Sequence, residues 1–438
     1  NQLGFYCICK LNSPLIMKKL KKNQHMKYIL LLLLLHGIVS CKPSHEDSTF
    51  PTIDLNKDYP TKRIDIHEIA DVEYIPLETN EQSLIGTTEF QAISDKYIII
   101  GDMKYFQIII FDRQGKFIRC INKRGQGPGE YNSFYAFDVD FDKEEIFIMT
   151  LYPRQTMWVY SFEGNYLREF KYDVNKKRLD IKRLNNYNDD YLIAYNDVYW
   201  PSPYPEYKRE ADKTPYYLIN KQTGAIKIAH DRLFIPNPVP PYLDRMRQGP
   251  YGGYNWTVGY TIEFMARNGK TEFLLVDNSL DTLYTFENHQ LQPAIVRTPS
   301  ITGMKEKRFV SPCALTDSLF IYRRVILEDD LFEQENTFYD DRKFPAYIFN
   351  RNTGEINQVE IYDSNISTEL TLSEHFLTGF PGNGNFYSST EKNQVVSYYY
   401  LHHLDGVIDK EQCKGKFKEV YGKTHEEDNP ILIIYTFK

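Results

Sequence analysis

The chain is 438 residues long, 15% aromatic with 35 tyrosines, and carries a formal net charge of −7 at pH 7. Residues 1–40 hold six lysines, no arginine and no acid, so removing them takes the charge from −7 to −13. That balance repels nucleic-acid backbones and anionic lipid and excludes nucleic acid as a partner. Cys120, Cys313 and Cys413, scattered and with no CxxC, exclude a disulfide framework and a zinc ribbon and read as small buried hydrophobes.

In chain order, Asn1 to Ile16 reads as sequence upstream of a true start at Met17 or Met26. From Met17 a basic stretch (Lys18, Lys19, Lys21, Lys22, Lys27) leads into an apolar run from Tyr28 to Leu35, then "GIVSC" ending at Cys41. Charged n-region, short apolar h-region and small residues before a cut mark a secretory signal over 17–40, far short of the roughly 20 residues that cross a bilayer. Ile38-Val39-Ser40-Cys41 resembles the bacterial lipobox, which implies lipidation of Cys41 and a lipid-anchored cell-envelope protein, at the outer membrane. Plain secretion with a chance cysteine is the alternative. Residues 41–61, polar and proline-bearing, are expected to form a flexible tether, and 62–438 a single domain.

The rest of the chain repeats itself. "DKYIIIGD" (95–102) with "QIIIFDRQGKFIRCI" (107–121) matches "EEIFIMT" (144–150) with "TMWVYSFEGNYLREF" (156–170): an apolar strand, a break, a second strand, a Gly turn, a third strand. The unit recurs at 189–197 with 215–230, at 270–278 with 281–296, at 316–323 with 345–361, and at 384–390 with 429–438. Six antiparallel units that cannot bury their faces alone imply an all-β, six-bladed β-propeller, with seven blades the rival count because the stretch between units three and four has room for one more. The first strand of each unit is taken as the inner one, its nearly continuous apolar run packing on both neighbours. The early strand "DVEYIPLET" (71–79) and the last, "NPILIIYTF", are expected to meet where the ring closes.

"DVEYIPLETNEQSLIG" (71–86), "FDRQGKFIRCINKRGQGPGEY" (111–131) and "EEDNPILIIYTFK" (426–438) together resemble the six-bladed β-propeller lipoproteins of Gram-negative gut-type bacteria, related to NHL-repeat propellers. The resemblance covers nearly all of the chain beyond Cys41 and implies fold and envelope location, but little about activity.

Three excursions interrupt the repeat: 198–214, 233–264 and an acidic one from Val325 to Lys343. Trp200, Tyr204, Tyr207, Tyr251, Tyr254 and Trp256, with Arg245 and Arg247, are candidates for an aromatic platform that meets a glycan, a peptide or a partner protein. Packing of these aromatics among themselves is an equal reading.

Catalytic motifs are missing. In "KRGQGPGEY" the glycines alternate as GxGxG with no Lys-Ser/Thr and no helix after them, so neither a P-loop nor a dinucleotide loop fits. Arg124, Gly125, Gln126, Gly127, Pro128, Gly129, Glu130 and Tyr131 read instead as the junction from blade one to blade two, with Arg124 and Glu130 pairing across the turn. GxSxG and HExxH do not occur, His402 and His403 would face opposite sides of a strand, and "DVDFDKEE" (138–145) reads as an acidic turn rather than a calcium loop. The expectation is a non-catalytic binding module without a cofactor. The alternative is a metal-dependent esterase or lactonase, with calcium or another divalent ion at the ring axis held by Asp102, Asn196, Asp277 and Asn278, although the reading of these four as ordinary turn formers is favoured.

Overall fold

A computed structural model of the protein describes residues 50–86, 88–150, 155–172, 179, 181–198, 213–235, 237, 239, 242–249, 252–259, 265–327, 344–371, 387–404 and 407–438. The signal and lipobox readings, Cys41 included, lie outside the described residues.

The chain first runs through β1 (Thr52–Asp54), β2 (Thr61–Asp65), the one-turn helix α1 (Ile66–Ile69) and β3 (Ala70–Pro76). Blade 1 follows as β4 (Thr88–Ile93), β5 (Tyr97–Asp102), β6 (Gln107–Asp112) and β7 (Phe117–Ile121). Blade 2 is β8 (Ala136–Asp140), β9 (Glu145–Met149), β10 (Thr156–Ser161) and β11 (Tyr166–Lys171), and blade 3 is β12 (Ile181–Asn186), β13 (Tyr191–Asn196), β14 (Tyr216–Asn220) and β15 (Ile226–Ile228). A two-stranded ribbon, β16 (Tyr242–Gly249) and β17 (Gly252–Gly259), then precedes blade 4: β18 (Met265–Asn268), β19 (Glu272–Leu275), β20 (Thr282–Glu287) and β21 (Gln290–Thr298). Blade 5 is β22 (Lys307–Leu315), β23 (Leu319–Leu327), β24 (Ala346–Asn350) and β25 (Ile356–Asp363), on which β26 (Ser367–Thr371) folds back. Blade 6 takes β27 (Tyr387–Ser388), β28 (Gln394–Tyr399) and β29 (Ile431–Phe437), with α2 (Leu401–Leu404) and α3 (Gly415–Tyr421) between the last two, and borrows β3 as its fourth strand.

The protein is therefore an all-β, six-bladed β-propeller. Ring closure runs through β3 and β29, antiparallel from Ile431 opposite Pro76 to Phe437 opposite Ala70. The stretch between blades 3 and 4 holds the ribbon, not a seventh blade. The tether expectation ends earlier than read: β1 and β2 pair in parallel with β21 and β25, so residues 52–54 and 61–65 belong to the sheets.

The core is six apolar seams, one between each pair of neighbouring blades. Successive residues of a strand point to opposite sheet faces, so each strand serves two seams. In β5, Ile98 and Ile100 pack toward blade 6 while Ile99 packs toward blade 2. This is why such strands read as unbroken apolar runs. They are nevertheless not the inner strands. The structure corrects that reading in blades 1 to 5: there the apolar run is the second strand of its blade, and a more polar one (β4, β8, β12, β18, β22) lies nearer the axis, whereas in blade 6 the strand read as inner, β27 within 384–390, does hold that position. The turn between the third and fourth strands needs a left-handed residue, supplied by Gly115 in blade 1 (φ +83°) and by Asn288 and His289 in blade 4. A Cβ at Gly115 would also lie 2.3 Å from the Pro76 carbonyl oxygen, so blade 1 sits directly against β3.

Candidate functional site

Because neighbouring strands within a blade are antiparallel, the connections alternate between the two ends of the ring. One end receives the turns from first to second and third to fourth strand, all short. The other receives the second-to-third and blade-to-blade connections.

The short-turn end is closed by charge. Lys270 of blade 4 reaches across to Asp142 of blade 2, its Nζ donating to both carboxylate oxygens at 2.8 Å. Beneath it Arg267 of β18 lies 3.6 Å from Asp138 of β8, and Asp138 also accepts the Asn186 N–H from β12. Lys221 Nζ donates to Asp140 at 2.6 Å. Burial pushes the Asp138 carboxyl up against the opposing pull of Arg267, and burial pulls Lys221 and Arg267 down against their carboxylate partners. Farther round, Asn268 donates to Asp317 (2.8 Å), Asp317 N–H donates to Asn393, and Asn393 N–H donates to Asn268 (2.7 Å each), tying blades 4, 5 and 6. The acidic-turn reading of 138–145 is thus corrected. Asp138 and Asp140 are on a strand and buried, and only residues 141–144 turn. The sequence offered no spacing to find this network, because its members come from different blades.

All three excursions belong to the opposite end. They join β13 to β14, β15 to β18 through the ribbon, and β23 to β24. The first leaves and re-enters blade 3, and the second leads from blade 3 to blade 4. In the ribbon Arg245 is opposite Trp256 and Arg247 opposite Tyr254, so the pleat sets these four positions on one ribbon face. Trp200, Tyr204, Tyr207 and Tyr251 lie outside the described residues, as do 328–343 of the acidic excursion, whose start at Val325 falls within β23.

The stretch 123–131 also opens at this end, between β7 and β8. Lys123 O accepts from Tyr131 N–H and Tyr131 O from Gly125 N–H, which closes a small loop. Glu130 caps it by accepting the Gly127 N–H (2.8 Å), whereas Arg124 lies over the Phe106 ring (5.5 Å). The expected Arg124–Glu130 pairing is replaced by these two contacts. A backbone donor three residues away is closer to the carboxylate than a side chain that gains more on an aromatic face. Gly129 holds φ +73° beside Tyr166, and its carbonyl accepts from Tyr160 Oη (2.9 Å). Tyr131 Oη donates to the carbonyl of Phe106, itself left-handed at φ +54°, a conformation that costs an aromatic residue about 1–2 kcal/mol.

Asp102, Asn196 and Asp277 follow or end second strands of blades 1, 3 and 4 and are buried. Asp102 accepts from Gly86, Lys104 and Gln107, Asn196 donates to Thr214 O, and Asp277 accepts from Ser279 N–H, all turn contacts within a blade or its entry. Asn278 is buried beside Asp277, its carbonyl accepting from Arg297. Among the described residues no group of three or more His, Cys, Asp or Glu is placed to hold a metal ion. His402 and His403 lie in the helix α2, not on a strand. Cys313 and Cys413 are buried and outside any disulfide, and Cys120 is half-buried, its thiol pushed up to about 11 by burial. No helix among the described residues is long and apolar enough to cross a membrane.

A Bacteroides fragilis protein expected to be exported has a similar structure, with a TM-score of 0.56 at 14% identity over 86% of this chain and 99% of its own. A Bacteroides thetaiotaomicron protein of unknown function gives 0.39 at 10% identity over 84% and 76%. At these identities the likeness concerns fold alone. No curated protein sequence matches the chain. A family profile matches residues 50–436, the whole ring but the last residue of β29, and the chain accordingly belongs to that family, the domain of unknown function DUF4934.

Proposed function

We propose that the protein is a non-catalytic binding module of the cell envelope, anchored through lipid on Cys41, that meets a partner protein with the long-loop end of its ring. The observation that carries this is the asymmetry of the ring. One end is sealed by short turns and an ionic network, while every excursion belongs to the other. Tryptophan, tyrosine and arginine are the residues that dominate protein interfaces, and the ribbon carries Arg245, Arg247, Tyr254 and Trp256 on one face. Kinship in fold with a protein expected to be exported agrees with an envelope location.

The test is gentle crosslinking in intact cells followed by co-purification, with a variant carrying alanine at those four ribbon positions. The expected result is loss of a defined partner with thermal unfolding unchanged. Retention of the same partner by the variant refutes the reading, and ribbon-dependent binding on a glycan array reassigns the partner class. Labelled palmitate entering the wild type but not Cys41→Ala tests the anchor.

A further inference from the structure

Among the described residues, the buried arginines have partners with one exception. Arg267 lies 3.6 Å from Asp138 and donates from Nε to Gly269 O (2.7 Å). Arg297 donates to the carbonyls of Asp277 (2.9 Å) and Asn278 (3.1 Å). Arg323 of β23 is 8% exposed and its Nε is sealed from solvent, yet it has neither a hydrogen bond nor an ion pair among the described residues.

Strand register fixes where this side chain points. Arg323 is opposite Ala346 of β24, and Ile321, two residues earlier, is opposite Ile348. Ile321, Ala346 and Ile348 all pack in the seam of blades 5 and 6, so Arg323 belongs to that face. On the blade 6 side, Ser397 of β28 lies between Val395 and Tyr399, two positions that pack in the same seam, and is opposite Ile433, which does so too. Ser397 is 1% exposed, and its hydroxyl is likewise without a partner. Arg323 is the fifth residue of β23 and Ser397 the fourth of β28, so the two lie at nearly the same height in the seam. The residues opposite Arg323 are small, Ala346 on one side and Ser311 of β22 on the other. Asp363, a carboxylate buried in the same seam, is held by His67 and Tyr74.

A guanidinium withdrawn from water without a counter-charge is strongly destabilising, and a buried hydroxyl with no acceptor adds to the cost. One species removes both deficits: an anion whose oxygens accept from the guanidinium and from the hydroxyl. We propose that the seam of blades 5 and 6 is a binding site for a small oxyanion, a carboxylate or a phosphate, gripped by Arg323 with Ser397 donating to it. The planar fork of arginine matches either group in bidentate fashion. With 8% of Arg323 exposed, only a small group reaches it. The inference does not depend on the ribbon or on the function proposed above.

The probes are inorganic phosphate and acetate, each titrated into the whole protein at constant ionic strength with chloride as the control, and read by calorimetry and thermal unfolding. At least one is expected to bind with one site per chain and to raise the unfolding temperature above that in chloride. Which of the two binds more tightly assigns the source as phosphate or carboxylate. Arg323→Met is expected to lose tenfold or more in affinity, and Ser397→Ala to lose less. In chloride Arg323→Met should unfold no lower than the wild type, because it exchanges an unpaired buried charge for an apolar chain of similar length. Binding of neither anion, or undiminished binding by Arg323→Met, overturns the proposal. So does an Arg323→Met protein that is unfolded or clearly less stable in chloride, since the counter-charge of Arg323 then comes from within the chain.

Discussion

His67 is the residue on which a pH experiment bears most directly. It lies in α1, and its Nε2 is 3.0 Å from Asp363 Oδ1 at the end of β25. Asp363 is 1% exposed at its side chain, against 30% for His67, and its other oxygen accepts from Tyr74 Oη. The Asp363 hydrogen bond holds the imidazole pKa above its ordinary 6.5; burial opposes this, and the charges of Asp363 and Asp65 add to it while Lys438 subtracts. The protonated ring is therefore favoured in the folded state. Stability from this contact is fully present below the unfolded value of 6.5 and is lost as pH rises through the higher folded value. A hydrogen bond to a charged group contributes about 1.5–3 kcal/mol and a neutral one about 0.5–1.5, so the swing is about 1 kcal/mol, reduced somewhat because part of the ring faces solvent. Urea unfolding of wild type and His67→Gln, at pH 5.5 and 8.5, reads it out. The stability gap between the two proteins should be about 1 kcal/mol wider at the lower pH. A gap that is constant, or wider at the higher pH, refutes the assignment of a charged His67–Asp363 contact.

Gly129→Val places a β-branched residue at φ +73° with its Cβ about 3 Å from the Tyr166 ring; it should lower stability by about 1–3 kcal/mol in urea unfolding and leave partner capture by the folded fraction unchanged. Arg267→Met removes the cation beside buried Asp138 and is expected to cost about 3–5 kcal/mol. Adding Asp138→Leu should restore much of that loss, as read from a double-mutant cycle in urea.

How far the fold could be read from the chain depended on which strand was asked. Ile98, Ile99 and Ile100, or Phe147, Ile148 and Met149, sit where both faces meet a seam, and a run of apolar residues is the signature of that position. The innermost strands carry Asp138, Asp140, Asn186, Arg267 and Asn268 because they border the axis, where polar groups from non-adjacent blades meet one another. Their pattern is neither apolar nor alternating, so the unit looked three-stranded. The junction at 123–131 could be recognised as a hinge from its glycines, but not that Glu130 would cap Gly127, since any carboxylate in a tight loop has several donors in reach. His67 and Asp363 are 296 residues apart, and it is the parallel pairing of β2 with β25 that brings α1 to the end of β25. The ribbon positions were named from composition alone. Their shared face follows from the register of β16 with β17, which composition does not encode.

The borrowed strands also set an order of events. Thr52 of β1 waits for Val296, Thr61 of β2 for Gln358, and β3 for Ile431–Phe437, so the earliest-made strands find their sheet partners only in blades 4, 5 and 6. Each of these pairings closes a loop of hundreds of residues, an entropic cost that local contacts within blades 1 to 3 do not carry. A chain emerging N-terminus first can therefore build its early blades but cannot lock them. The ring remains an open arc until β29 has been delivered, and the final step of folding is the clasp.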